Sequence, residues 1–420
     1  MLNAKEIIEH NKNLGKLMED NSMLVVFAGQ MARKSADEDF PFTPNRNFYY
    51  LTNIAENNDI ALLVKLHGRV NQFIFINRYD PVYAKWNGAN LDALQVSKLS
   101  GCTNVLFLDE FEANFQMFIM RGGVKQVYLD LERQKFDEAW TPAECFASKI
   151  KEKYPALKIS DAYPLIASLR MVKSPAEIIE MKKAINITDK AIQELMKQAP
   201  KSIGKTENYL EAYFDCVLKQ EGASDFAFET IAASGINACT VHYRENNGPL
   251  VNGNLVMFDC GAEYDYYKSD ITRTFPLNGK FTKRQLEIYN IVLKAQDVVA
   301  KHAKPGITTM ELNEYVKEFL AKECIKLGLI KDASELSKYY MHGCSHHLGL
   351  DTHDACVLGA KLSEGCVISN EPGLYLEEEG IGIRIEDDLL ITKTGCEYLS
   401  KQIIKKPEDI EAFMKKNAYK

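Results

Sequence analysis

No run of about 18 consecutive apolar residues occurs in the chain, which excludes a membrane-spanning helix. The first ten residues, Met1 to His10, lack the basic-then-apolar layout of an export signal. A cytoplasmic location with no membrane partner is therefore expected. Paired cysteines are missing too. Of ten cysteines no two are spaced Cys-x-x-Cys, which removes zinc-finger and thioredoxin-type patterns. They are expected to be free thiols, most of them packed as small buried hydrophobes. Nor is there a basic excess. Lys plus Arg number 51 against 58 Asp plus Glu, a net charge of −7, so nucleic acid is not the expected partner. Histidine is scarce, with only eight, so any cluster of them is informative. What is present is 46% hydrophobic and 26% charged residues. That is the balance of a globular protein, not of a disordered or collagen-like one. At about 100–200 residues per domain, 420 residues suggest two or three domains.

The chain reads as two halves. Up to about residue 165, short apolar runs of strand length recur: Met23–Phe27, Ile60–Val64, Phe73–Ile76, Val105–Leu108 and Val127–Leu129. Polar, helix-compatible stretches separate them, so an α/β or α+β unit with one sheet is expected. The aromatic stretch Phe42–Tyr50 reads as an edge strand packed on the core. Tyr163–Val172 reads as a linker and final strand. Then comes a clear helix start. Ser174 supplies an N-cap, Pro175 fits the first helical position and Glu177 completes a capping box. Apolar residues from Ile178 to Leu195 follow at helical spacing, which predicts a helix to about Gln198. Beyond it lies an internal echo at an offset of 102 residues. Gly204, Thr206, Leu210, Tyr213 and Leu218 correspond to Gly306, Thr308, Leu312, Tyr315 and Leu320. Each segment reads as a glycine turn, a threonine cap and an amphipathic helix, which hints at duplicated halves.

Ala199-Pro200-Lys201-Ser202-Ile203-Gly204-Lys205-Thr206 looks like a relaxed phosphate-binding loop. Such a loop must leave a strand and open a helix with its amides free. Here the preceding element reads as a helix, Pro200 removes an amide, and the first glycine is absent. A turn between two helices fits better.

The chemistry lies in acids at the ends of apolar strands. Leu255–Phe258 ends in Asp259, and a carboxylate there is costly unless it is paired or metal-bound. Eleven residues on, Asp270 opens the run Ile271-Thr272-Arg273-Thr274. Alternation puts Asp270, Thr272 and Thr274 on one face, and a turn at Tyr264–Tyr267 would bring Asp259 and Asp270 together in a hairpin. Between His342 and Asp354 stand four histidines, at 342, 346, 347 and 353, with glycines that suggest tight backbone. Val367–Asn370 leads into Glu371 and a Pro372-Gly373 turn. In Gly382–Asp388, Arg384, Glu386 and Asp388 alternate with Ile383 and Ile385. Any one of these acids alone would ordinarily be capped, exposed or salt-bridged. Two aspartates, a histidine and two glutamates at strand ends within one stretch suit a pair of divalent ions. Oxygen-rich ligation favours manganese, with cobalt, zinc or iron able to substitute.

Asp259-Cys-Gly through Asp270-Ile-Thr-Arg-Thr, the His342–Asp354 cluster, Asn370-Glu-Pro-Gly and Arg384-Ile-Glu-Asp together resemble the pita-bread metallopeptidases. That group holds methionine aminopeptidase, prolidase and aminopeptidase P. In order and spacing the motifs are most similar to aminopeptidase P, the Xaa-Pro aminopeptidase family. The resemblance extends over the whole chain, including Asn45–Thr52 in the first half. It implies an aminopeptidase P-like α/β amino-terminal domain over 1–170. A pita-bread (creatinase/aminopeptidase) α+β catalytic domain would follow over 171–420.

The resemblance also implies roles. Asp259, Asp270, His346, Glu371 and Glu386 would ligate two divalent ions, with Asp270 and Glu386 bridging them. An activated water would attack the scissile carbonyl, and Glu371 would pass a proton toward the leaving proline nitrogen. His353 would stabilise the tetrahedral intermediate through the carbonyl oxygen. His242 would hydrogen-bond the substrate, His342 would line the proline side, and Arg384 would hold the carboxylates in place. A packed core histidine is the alternative reading of His242. His347 reads as a non-ligand neighbour, and Cys260 and Cys344 as packing residues. Substrates would be peptides with proline at position two, and the assembly a homodimer or homotetramer. A prolidase restricted to Xaa-Pro dipeptides, a metal-free creatinase-like hydrolase and a non-catalytic binding protein are the alternatives on this fold.

Overall fold

The apolar runs of the first half become strands of a single mixed sheet. In the computed structural model, which describes residues 2–419, the chain forms two units, Met1–Arg170 and Met171–Lys420. The first unit contains α1 (Ala4–Leu17), β1 (Ser22–Phe27), α2 (Arg46–Thr52), β2 (Ile60–Leu66) and β3 (Arg69–Ile76). It continues with α3 (Pro81–Asn87), α4 (Ala93–Ser100), β4 (Val105–Phe107), α5 (Phe111–Met120) and β5 (Gln126–Leu129). It ends in α6 (Pro142–Lys153), β6 (Lys158–Asp161) and α7 (Tyr163–Arg170). The strand order is β4-β3-β2-β1-β5-β6. β1, β2 and β3 pair antiparallel, whereas β4, β5 and β6 join in parallel. Val25, Leu62, Phe75 and Leu129 from the sheet pack with Phe111 and Phe115 of α5 and with Ile150 of α6.

Two expectations fail here for local reasons. Phe42–Tyr50 is not an edge strand, since its second part opens α2. The Asn45 side chain accepts the Phe48 amide and caps that helix, and Phe48, Tyr49 and Tyr50 are all buried on it. Aromatic residues fill the core as expected, but from a helix. Tyr163–Val172 is likewise helical up to Arg170. The Asp161 carboxylate accepts the Tyr163 amide, and Ile166, Ala167 and Arg170 turn inward. The last strand of the unit is the polar Lys158–Asp161, which carries no hydrophobic run to announce it.

The second unit opens with α8 (Pro175–Ser202), α9 (Glu207–Gln220), β7 (Asp225–Phe226), β8 (Ile231–Ser234) and β9 (Leu255–Cys260). Next come β10 (Ala262–Tyr264), β11 (Tyr267–Lys268), β12 (Ile271–Pro276), α10 (Lys283–His302) and α11 (Thr309–Lys326). The remainder is β13 (Val367–Asn370), β14 (Gly373–Leu376), β15 (Ile381–Arg384), β16 (Asp387–Ile391), β17 (Cys396–Tyr398) and α12 (Pro407–Asn417). Ser174 and Glu177 make the expected capping box of α8, which runs four residues past Gln198 with Pro200 in its last turn. The phosphate-loop look-alike is thus the end of one helix and the turn to the next. Gly204, at φ +85°, supplies a left-handed turn there.

The echo has a structural counterpart. α8 packs on α9 and α10 on α11, and each helix pair is followed by a three-stranded antiparallel sheet. The orders are β12-β9-β8 and β13-β16-β17. The caps differ, however. The Thr308 hydroxyl accepts the Glu311 amide, whereas Thr206 makes no such bond.

Candidate metal centre

Strand register brings the first two acids together. β9 and β12 pair antiparallel with Asp259 opposite Thr272, and the turn between β10 and β11 is made by Asp265 and Tyr266 at positive φ. Asp270 is the last residue before β12. From the second half, Glu371 follows the end of β13, and Glu386 sits in the two-residue break between β15 and β16. The Gly382–Asp388 run is therefore not one strand. β15 pairs with β14 and β16 with β13. The segment from His342 to Asp354 is irregular backbone, as its glycines suggested. The amide of His346 donates to Ser369 Oγ at 2.9 Å, and the amide of Ser369 donates back to the His346 carbonyl at 2.9 Å. This exchange fixes the histidine beside β13.

Asp270, His346 and Glu386 each place one ligand atom within 4.8 Å of the others, the one such cluster of His, Cys, Asp or Glu among the described residues. Glu371 adjoins it, with Oε1 3.3 Å from His346 Nε2, and Asp270 Oδ2 lies 3.4 Å from that nitrogen. Asp259 is anchored by Arg384, whose guanidinium donates to Oδ2 at 2.7 Å. Arg384 also donates to Thr272 Oγ1 and to Tyr375 OH, and Thr272 in turn donates to Glu386 Oε2 at 2.7 Å. One buried arginine therefore orients two of the acids. The relay continues outward. Tyr375 OH is 2.7 Å from His342 Nε2, and His342 Nδ1 lies 2.6 Å from the Gly343 carbonyl. Tyr375 therefore donates to a neutral imidazole. Burial, with the Arg384 charge, pushes His342 down to about 4, consistent with that tautomer.

The electrostatics fit a cation. Burial first, then the charge of Asp259, pushes Asp270 up to about 7; burial also raises Glu386, helped by the charges of Asp270 and Glu371, and Glu371, helped by that of Asp259. Burial pulls His346 down, but the bond to Asp270 and the charge of Glu371 carry it up to about 10. Oδ1 of Asp259 and Oδ1 of Asp270 are buried without any hydrogen-bond partner. Orphaned carboxylate oxygens crowded among other acids are the donor set that hard divalent ions take up. Charge neutralisation by such ions removes the repulsion that otherwise keeps protons on the cluster.

The other expected residues divide. The rings of His353 and His346 meet edge to face with centroids 4.4 Å apart, so His353 stands at the cluster with its other side open. His242 is exposed, which excludes the core-histidine reading. His347 is buried and pushed down to about 4 by burial and Lys173, and it belongs to no metal cluster. Cys260 and Cys344 are fully buried packing residues. All ten cysteines are free, but only five are buried, and Cys145 and Cys216 are exposed. That falls short of the expected burial, with Cys145 and Cys216 on the outer faces of α6 and α9.

Sequence reasoning missed the supporting layer. Arg273, fully buried, donates to the Glu386 carbonyl at 2.5 Å and to Asp387 Oδ1 at 2.7 Å. Lys405 and Ser400 also bind Asp387. The Gln296 side-chain amide reaches the carbonyls of Asn370 and Ile385, the residues just before Glu371 and Glu386. Lys173 and Asp354 form an ion pair at 2.8 Å with both side chains 1% exposed, fastening the loop that bears His353. Arg273 alternates out of phase with Asp270 and Thr272. That phase was the one available signal that it points away from the acids and into the structure behind them.

Residues 179–393 match Metallopeptidase family M24, and residues 7–128 match Aminopeptidase P, N-terminal domain. The Xaa-Pro aminopeptidase of Escherichia coli (strain K12) is 34% identical, covering 98% of this chain and 98% of that protein. The human Xaa-Pro aminopeptidase 3 is 30% identical over 92% of this chain and 80% of its own length. Among solved structures, aminopeptidase P from E. coli in its low-pH form superposes with a TM-score of 0.90 at 33% identity, covering 99% of each chain. A zinc-substituted form of the same protein in complex with product gives 0.89 at 32% identity, covering all of each chain. With the family match spanning its acid cluster and full-length relatives above 30% identity, this chain belongs to metallopeptidase family M24.

Proposed function

We propose that the chain is a metalloaminopeptidase that hydrolyses the Xaa-Pro bond and releases the first residue of peptides with proline second. The observation that carries this reading is the buried cluster of Asp270, His346 and Glu386, flanked by Glu371 and Asp259, in a chain whose full-length relatives are Xaa-Pro aminopeptidases. Asp259, Asp270, His346, Glu371 and Glu386 would hold two divalent ions. Bound ions supply Lewis acidity and charge neutralisation at the reacting carbonyl. Arg384, through Asp259 and Thr272, keeps the acids aimed inward. Glu371 receives a proton from the attacking water and hands it to the leaving proline nitrogen. His353, beside His346, donates to the carbonyl oxygen as charge develops on it. His242 hydrogen-bonds the bound peptide. His342, held by Tyr375, lines the proline side.

The oxygen-rich donor set supports manganese as the loaded ion, with cobalt or zinc as substitutes. Cytoplasmic location and a homodimer or homotetramer belong to the same reading and rest on family likeness. The test uses chelator-treated protein with manganese restored, offered Ala-Pro and Arg-Pro-Pro. Metal-dependent cleavage of the tripeptide is the expected result. Cleavage of the dipeptide alone would move the assignment to a prolidase, a reading the full-length relatives do not favour. Inertness toward both with every divalent ion would end the peptidase assignment.

A further inference from the structure

Glu207 opens α9 and its side chain is fully buried, yet it takes no part in the acid cluster. Each of its carboxylate oxygens is filled by two neutral donors. Oε1 accepts the Ser234 amide at 2.6 Å and Asn237 Nδ2 at 3.0 Å. Oε2 accepts Tyr243 OH at 2.9 Å and the Gly248 amide at 2.7 Å. Those donors lie at the end of β8, in the following turn, and on both sides of the irregular loop that returns to β9. The backbone repeats the arrangement. The amides of Glu207 and Asn208, free at the start of a helix, donate to the carbonyls of Gly248 and Asn246. A Cβ at 248 would press on the ends of the Glu207 and Asn237 side chains, so any larger residue would have to push them out of this arrangement.

That loop carries His242, an exposed residue next to Tyr243. An exposed ring on an irregular loop is placed by the backbone beneath it. A buried carboxylate is costly to retain, and an apolar side chain would fill the same volume without stitching three segments together. We infer that Glu207 is a positioning residue that sets the His242 loop against the substrate, acting through Tyr243 and Gly248. The inference rests on the proposed peptidase reading for what His242 contacts. It does not rest on that reading for what Glu207 holds.

Two variants test it. Glu207→Gln leaves an amide N–H facing N–H and O–H donors, and Tyr243→Phe removes one donor with little change of shape. In folded protein, KM for Arg-Pro-Pro should rise about 10-fold in Glu207→Gln and about 3-fold in Tyr243→Phe, while kcat and manganese affinity stay within about 2-fold. His242→Ala combined with either variant should raise KM no further than His242→Ala alone, since both act through one ring. The His242 ring resonance should broaden or shift in each variant, a readout that needs no turnover. KM increases that add to that of His242→Ala, or matching losses of kcat and metal affinity, would overturn the proposal. So would an unchanged His242 resonance in Tyr243→Phe, the variant that decides if Glu207→Gln does not fold. If the wild type cleaves neither peptide, the peptidase reading fails, and the resonance still decides the role of Glu207.

Discussion

Asp59 offers a quantitative test that involves no catalysis. It lies at the start of the antiparallel core of the first unit, immediately before β2, and is 1% exposed. One carboxylate oxygen has no hydrogen-bond partner, and the other receives the Asn77 side-chain amide at 3.4 Å. Burial, then the neighbouring Glu56, pushes it up to about 8 from an ordinary 3.8. The native state therefore keeps a proton that the unfolded chain releases near pH 4. Between those values each pH unit lowers stability by about 1.4 kcal/mol from this one group. The contribution is full below the unfolded value and is lost as pH rises through about 8. Asp59→Asn keeps the shape and cannot ionise. Relative to wild type, the variant should gain about 2–3 kcal/mol between pH 5 and pH 7. For a unit of this size that is about 5–10 °C in Tm. Calorimetry of both proteins at the two pH values measures the difference, and titrating groups that do not face Asp59 cancel. Parallel Tm curves would mean that Asp59 is solvated or charged in the native state, and the argument would be refuted.

Other expectations are more direct. Lys173→Met removes the ion-pair partner of the buried Asp354 carboxylate and should cost about 3–5 kcal/mol by denaturant midpoint, partly recovered by adding Asp354→Asn. A single-variant cost under about 1 kcal/mol would show that the pair is hydrated. Gly382→Ala drives a Cβ into the Ala238 carbonyl and should cost at least about 1–3 kcal/mol, and an unchanged Tm would contradict it. Chelation should abolish peptide cleavage and lower Tm by about 5–10 °C, both reversed by manganese at about a hundred times its Kd. An identical Tm with and without chelator would argue against metal at this cluster.

Much of the site could be read from the order of residues because its parts are set locally. The Asp259–Asp270 hairpin follows from strand alternation and one tight turn, and the capping box of α8 from four adjacent residues. Failures occurred where the deciding contact is distant or polar. The aromatic Phe42–Tyr50 stretch reads as a strand, but from Arg46 on it takes a helix because Asn45 caps it and the core accepts its aromatic face. The strand Lys158–Asp161 is legible only once β5 offers it a parallel edge. Glu207 reads as an ordinary acid in a first helical turn. Its four donors come from 27 to 41 residues away in sequence, a separation no periodicity reveals. Arg273 and Gln296 escaped for the same reason, since, the Thr272 carbonyl beside Arg273 apart, the groups they bind lie about 74 to 131 residues away.

The repeated arrangement of helix pair and small sheet has a consequence for assembly. One repeat brings Asp259 and Asp270, and the other brings His346, Glu371 and Glu386. Docking the two repeats therefore crowds four carboxyls around one imidazole at the centre of their shared seam. Without a cation that crowding is relieved by protons kept on the acids, with Asp270, Glu371 and Glu386 all raised. Bound ions would tie one repeat to the other as well as neutralise the acids. Loss of those ions would then loosen the hold of one repeat on the other, over and above its effect on turnover.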